Sequence, residues 1–338
     1  MAKAPSLKDV AKLAGVGLGT ASRVLNNSGP VTDEKRQAVF EAMEKLNYKP
    51  NAIARSLKSK KTKTIGVMIP DISNPFYPEV IRGIEDVANK YSYSIFLLNT
   101  DRSREKEQKC LSVLQEKMVD GAILMSFSVP EEIKNHINNI PIVLISSIPK
   151  NTEFVTVRID NEEAAYEAVN HLCKFGHKDI VMISGPLSDE NAAIPRVQGY
   201  MRAMLDNGIK FSSENIVDGD FSSEWGYIAM KKILEREKIP TAVFTHSDNL
   251  AIGAIKAIME KGLRIPEDIS IVGFDGIASS EYIYPGITTI KQPRYEMGAM
   301  GMETLVKLIN GVETKKLIKM DVQLVERNSC KNLLTEDK

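Results

Sequence analysis

The chain has 338 residues, 43% of them hydrophobic and only 6% aromatic, and its three cysteines, Cys110, Cys173 and Cys330, form no CxxC pair. The length suits two or three lobes with cores of their own. An odd cysteine count without CxxC suggests neither a disulfide framework nor a zinc site; no apolar run is long enough to span a membrane, and no secretory apolar segment opens the chain, so a cytoplasmic protein without membrane contact is expected. Charge balances at 44 Lys plus Arg against 44 Asp plus Glu, but residues 1–61 hold twelve basic and five acidic residues and the remainder 32 and 39. A segment of net +7 therefore precedes one of net −7, as expected where the first meets phosphate and the second does not.

Ser6 to Asn26, SLKDVAKLAGVGLGTASRVLN, reads as two short helices broken by a glycine turn. Ser6 and Asp9 have capping-box spacing, and Val10, Leu13 and Ala14 form an apolar stripe. Gly15 suits the left-handed position that ends a helix, and Val16 plugs the corner. The second helix is expected over Leu18–Leu25, with Ala21, Val24 and Leu25 inward and Leu18, Gly19, Ser22 and Arg23 outward. That outward set is small and carries one cation, which suits a helix in a DNA major groove. Two helices at an angle also occur in proteins that never meet DNA, and the pattern alone leaves both readings open. The run Gly15–Gly19 resembles a phosphate-binding loop, but a helix precedes it where a strand is required and its last glycine comes one residue early.

A third helix is expected from Thr32 as cap, with Asp33 and Glu34 in its first turn and Val39, Ala42, Met43 and Leu46 as its stripe. Tyr48-Lys49-Pro50 stops it. Asn51 to Leu57 has the length of two helical turns, too short to be stable alone, so it folds only against DNA or a partner. Lys58, Lys60, Lys61 and Lys63 make the linker basic, and on composition alone a plain tether reads the same way. From Thr64 apolar runs alternate with helical stretches: TIGVMI, YSIFLLN, DGAILMS and PIVLIS, then KDIVMISG, TAVFTHS and ISIVGFD. Such alternation predicts parallel sheets flanked by helices, in two similar subdomains with a cleft between them. Ligands of these sheets bind beyond the strands' carboxyl ends, which makes Asp71–Asn74, Ser126, Ser146-Ser147, Gly185, His246–Asp248 and Asp275 the candidates.

Taken in order, DVAKLAG, TASRVLN, LNYKPNAIARSL, IGVMIPDISNPFY, the R-x-x-G-Y run from Arg196 to Tyr200, and IVGFD closely resemble the bacterial LacI/GalR repressors from about Ser6 to Ser329. The resemblance implies an all-α helix-turn-helix DNA-binding head at 1–50, a hinge helix and linker at 51–63, and a periplasmic-binding-protein-like α/β body at 64–338. The body's N-subdomain would take about 64–160 and 292–325, and its C-subdomain about 161–291. Leu18, Gly19 and Arg23 resemble the operator-reading positions, and Thr20, Ser22 and Asn26 the phosphate contacts. Asn51, Arg55 and Leu57 would meet DNA through the hinge, with Leu57 wedged into the minor groove at the operator centre. Two hinges imply a homodimer on a pseudo-palindromic operator of double-stranded DNA.

By the same resemblance, Arg196 and Asp275 would grip a small effector, a sugar or sugar phosphate. Phe221 would stack on it, and Ser73 and Phe76 would close the cleft. Ser146 stands where many members carry Asp, and Ser247 where many carry Asn. Gly17 replaces the usual Ser at the start of the reading helix. Gln292-Pro293 and Tyr295 resemble the contact helix of the catabolite control branch, whose members answer to a phosphorylated carrier protein; Glu303 and Gln323, however, stand where cations would meet the phosphate. No cofactor, metal or catalytic residue is expected: His136, His171, His177 and His246 have no metal spacing and no nucleophile beside them. A secreted sugar-binding transport protein would share the body but not the basic head.

Overall fold

The computed structural model describes residues 5–26, 28–48, 61–125, 140–148 and 154–335. The chain divides into two compact units, Met1–Thr62 and Lys63–Lys338. The described residues of the first form three helices: α1 (Leu7–Leu13), α2 (Leu18–Leu25) and α3 (Asp33–Lys45). The capping box forms as its spacing predicts, with Ser6 N donating to Asp9 Oδ2 at 2.8 Å and Asp9 N to Ser6 Oγ at 3.4 Å. Gly15 ends the first helix at φ 65°. Val10, Ala11, Ala21, Val24, Val39 and Ala42 form the core, with Val16, Met43 and Leu46 packed round it. Leu13 departs from expectation, for it is 51% exposed. The buried arc of α1 is centred among Leu7, Val10, Ala11 and Ala14, and at 100° per residue Leu13 points roughly 110° away from it. Thr32 caps α3 by backbone position only, without a side-chain hydrogen bond.

The second unit is two lobes wound alike. The N-lobe holds β1 (Thr64–Ile69), α4 (Phe76–Lys90), β2 (Ser94–Asn99), α5 (Arg104–Glu116), β3 (Gly121–Met125), β4 (Ile142–Ile145) and β5 (Val155–Arg158). The C-lobe holds α6 (Asn161–Lys174), β6 (Ile180–Ser184), α7 (Ala193–Asp206), β7 (Ile216–Asp218), α8 (Ser223–Leu234), β8 (Ala242–Thr245), α9 (Asp248–Glu260), β9 (Ser270–Asp275), α10 (Ser279–Tyr282) and β10 (Thr288–Lys291). The chain then returns to the N-lobe with α11 (Arg294–Ile309) and β11 (Leu317–Lys319), and crosses once more to β12 (Gln323–Val325). The sheets run β2-β1-β3-β4-β5-β11 and β7-β6-β8-β9-β10-β12, parallel throughout except for β12 against β10. Because Gln323–Val325 pairs with Thr289–Lys291, the N-lobe's second segment ends near Lys319 rather than at 325.

Parallel strands covered on both faces must be apolar on both faces, and β1, β3, β4, β6, β8 and β9 are buried almost end to end. In the N-lobe α4 and α11 pack so closely that a Cβ on Gly83 would lie 2.1 Å from the Tyr295 carbonyl, and one on Gly298 would lie 2.0 Å from that of Val80. A glycine on each helix is what permits this approach. Among the described residues all three cysteines are free, and no helix is long and apolar enough to cross a membrane.

Candidate ligand cleft and DNA-reading helix

The carboxyl ends of both sheets face one cavity of about 50 Å³. That is room for a few waters at the ~15 Å³ each requires. From the N-lobe it is lined by Asn74, Phe76 and Tyr77 after β1, Arg102 after β2 and Ser146 after β4. The C-lobe adds Asn161, Asp189, Ala192, Arg196, Phe221, His246, Ser247 and Asp275, and Gln292 follows β10. Six of the seven expected effector residues therefore meet: Phe76, Ser146, Arg196, Phe221, Ser247 and Asp275.

Ser73 does not line the cavity. The Asp71 carboxylate accepts both its amide (2.9 Å) and its hydroxyl (2.6 Å), a local turn that faces Ser73 to solvent and leaves the next residue, Asn74, on the cavity wall.

Arg196 is the centre of the polar network. Its Nε donates to Asn161 Oδ1 at 2.9 Å and its Nη1 to the His246 carbonyl at 2.5 Å; Nη1 also lies 3.6 Å from Asp275 Oδ1. The guanidinium stacks 3.6 Å over the Phe274 ring. Burial lowers its pKa, and the Asp275 charge pulls the other way. Asp275 sits at φ 99° at the end of β9 and accepts from Gln292 Nε2 at 2.7 Å. Burial pushes its carboxyl up, opposed by Arg196 and then Arg294. Beneath it Asp248 accepts from Thr289 Oγ1 (2.6 Å) and from the Ile277 amide (2.8 Å), and burial, reinforced by Asp275, pushes its carboxyl up to about 7. His246 is held well below its ordinary value by burial and by the nearby Arg196 and Arg102, so its imidazole is neutral.

The aromatic wall is equally fixed. Phe221 packs on Gly185, where a Cβ would lie 2.4 Å from the ring, and against His246 at 5.0 Å between centroids. Arg102 reaches across from the N-lobe to lie 3.9 Å over the same ring. Ser247 caps α9, with its hydroxyl accepting from the Leu250 amide at 3.3 Å. Tyr77, Arg102, Asn161, Asp189, Ala192 and Gln292 line the cavity in addition to the residues expected from the sequence. Arg102 and Asn161 follow strand ends, which is the available signal, but β5 reads VTVR, where Thr156 and Arg158 break the apolar run. Among the described residues no group of three or more His, Cys, Asp and Glu is placed to hold a metal.

In the helical unit α2 runs over Leu18–Leu25 from Gly17, which supplies no side-chain cap. Leu18 is 53% exposed, Gly19 and Arg23 are exposed, and Thr20 and Ser22 are half-buried. Asn26 Nδ2 donates to the Ser22 carbonyl at 2.8 Å and to its hydroxyl at 3.3 Å, closing the end of the helix. Asn51, Arg55 and Leu57, like Ser126, lie outside the described residues.

A helix-turn-helix unit with a sparsely charged outer face, joined in one chain to two lobes around a polar cleft, defines a ligand-responsive DNA-binding regulator. Residues 6–51 match the bacterial regulatory proteins of the lacI family, and residues 62–328 match the periplasmic binding proteins and sugar binding domain of the LacI family. The chain is 45% identical to the HTH-type transcriptional regulator RegA of Clostridium acetobutylicum, over 97% of this chain and 100% of that one. It is 42% identical to catabolite control protein A of Priestia megaterium, over 90% of this chain and 92% of that one. The lac repressor dimer bound to operator and the anti-inducer ONPF superposes with a TM-score of 0.89 at 29% identity, covering 97% of this chain and 100% of that one. The chain belongs to the LacI family of bacterial transcriptional regulators, which are DNA-binding proteins and not enzymes.

Proposed function

We propose that this regulator is a cytoplasmic repressor of carbohydrate-utilisation genes, gripping a pseudo-palindromic operator as a homodimer and switched by a small neutral sugar between its lobes. The observation that carries this reading is the Arg196–Asp275 pair set among aromatic walls. A guanidinium fork and a carboxylate match vicinal hydroxyls, and Phe76, Tyr77 and Phe221 line the same cavity with apolar surface for a sugar ring. Cavity charge favours a neutral sugar over its phosphate: Arg102 and Arg196 are balanced by Asp189 and Asp275, and Arg196 is already engaged by protein acceptors. A phosphate would need cations in excess.

On the DNA side, Leu18, Gly19 and Arg23 read bases, Thr20, Ser22 and Asn26 hold phosphates, and Asn51, Arg55 and Leu57 engage the minor groove. Ligand and operator then alter each other's affinity by the same factor.

The kinship with catabolite control protein A supports a second reading, activation by a phosphorylated carrier protein. Side chains on the relevant helices favour it less. Tyr295 donates its hydroxyl to Asp86 at 3.1 Å, and Glu296 and Glu303 stand on the same helix, so a phosphoserine would meet carboxylates beside Arg82, which is itself paired with Asp86 at 3.3 Å.

The test is calorimetric titration of the full chain with neutral mono- and disaccharides and their phosphates. It is followed by affinity measurements on a duplex that the protein has selected from a randomised pool. Micromolar binding of a neutral sugar that changes duplex affinity supports the proposal. Binding of phosphates alone, or silence across the panel on folded protein, overturns it, and silence turns attention to the carrier protein.

A further inference from the structure

We propose that Arg294 is a positioning residue that ties the ligand-facing turn of the C-lobe to the aromatic wall of the N-lobe. Arg294 opens α11 three residues after the end of β10, and its side chain is 4% exposed. Its Nη2 donates to the Gly276 carbonyl at 2.8 Å and lies 2.5 Å from Glu79 Oε2. Glu79 stands in the first turn of α4, the helix that begins with Phe76 and Tyr77. Gly276 directly follows Asp275. One nitrogen thus joins the residue after the effector carboxylate to the helix bearing two of the cavity's aromatic rings.

The two partners have different tasks. Arg294 and Glu79 both belong to the N-lobe, on helices locked together by Gly83 and Gly298, so the ion pair aims the fork. The bond to Gly276 is the contact that passes between lobes. From the other side Asp248 takes the Ile277 amide at 2.8 Å, so the Asp275–Ile277 turn is held by one group from each lobe. A buried charge kept on two acceptors is costly to leave half-paired, which makes the register of Asp275 against Phe76 and Tyr77 well defined. Two further contacts between lobes, Ile148 N to Asn191 Oδ1 at 2.7 Å and Arg102 over Phe221, touch neither this turn nor α4.

The purpose of this tie rests on the ligand reading of the cleft, but its existence does not, and the test adds no sugar. Amide hydrogen exchange is followed on the full chain for the native protein, Arg294→Leu, Arg294→Lys and Glu79→Gln. In Arg294→Leu, amides at 275–278 and at 76–80 should exchange faster together, on the order of tenfold, while those of β6 and β8 stay unchanged. Lys, which keeps a donor within reach of Gly276, should restore most of the protection. Glu79→Gln alters a half-exposed partner; should Arg294→Leu fail to fold, it carries the same paired test with a smaller effect. Faster exchange confined to one of the two segments, or a Lys variant no better protected than Leu, overturns the proposal. A failed sugar titration would leave this result standing, and the reverse also holds.

Discussion

The two lobes share one winding and differ in what they bring to the cleft. Both sheets place their second strand outside the first and then run outward through the third, fourth and fifth. The C-lobe supplies buried charge: Arg196, Asp275 and, beneath them, Asp248, each less than a tenth exposed. The N-lobe lines the cavity with Phe76, Tyr77, Asn74 and Ser146, and with Arg102, which is open to solvent. Identical topology therefore fixes where side chains converge, beyond the strand ends, and leaves their chemistry free. The C-lobe grips through groups already engaged with one another, while the N-lobe closes an apolar wall over them.

The largest test of this asymmetry is Arg196→Ala. It leaves Asp275 buried without its fork, and unfolding by denaturant should show a loss of about 3–5 kcal/mol together with loss of sugar binding. On the opposite wall Phe76→Leu should cost less than about 1.5 kcal/mol, as roughly volume-conserving swaps do. Equal losses would remove the distinction between the lobes.

A smaller effect separates Asp248 from its neighbours through pH. Its carboxyl is pushed up to about 7 in the folded chain, against about 3.9 unfolded. Between these values the folded state holds a proton that the unfolded state has lost, so this contribution is complete at low pH and disappears as pH rises to about 7. Relative to Asp248→Asn, the native chain should lose stability on going from pH 5 to pH 8, at about 1.4 kcal/mol per pH step of one until the carboxyl ionises. Taking the difference removes the opposite contribution of His246, whose lowered value weakens the fold as pH falls. A pH-independent difference would place Asp248 among ordinary carboxylates.

The smallest expected effect is Ser73→Ala, within about 0.5 kcal/mol in stability and without measurable change in sugar affinity, whereas Asn74→Ala should weaken binding. The reverse ranking would return Ser73 to the cleft.

These residues also show what the sequence made legible. The second helix began and ended where its spacing placed it, and seven apolar runs became strands because buried parallel strands need continuous hydrophobicity. Arg196, Asp275 and Phe221 were found through the spacing of familiar motifs. Ser73 was misplaced because a carboxylate two residues earlier turns it outward, a choice that residue types alone do not announce. Leu13 was misplaced because a seven-residue helix supports more than one apolar arc. Asn161 and Gln292 follow VTVR and TTIK, strands whose threonines and terminal cations leave no continuous apolar run. Neither the tie through Arg294 nor the support from Asp248 had a local signal, since their hydrogen bonds to Gly276 and Ile277 span 18 and 29 residues.

The order in which the lobes appear along the chain bears on its synthesis. Nearly all of the C-lobe, from Asn161 to Lys291, is inserted within the N-lobe, whose α11 and β11 come only afterwards. A nascent chain must therefore carry the sheet of Thr64–Arg158 with its α11 face uncovered and its β5 edge unpaired. At about 5–20 residues per second that interval lasts on the order of ten seconds. The later half can close its own core in that time, whereas the earlier half waits with apolar surface exposed, and it is this half that a ribosome-associated chaperone would be called on to shelter.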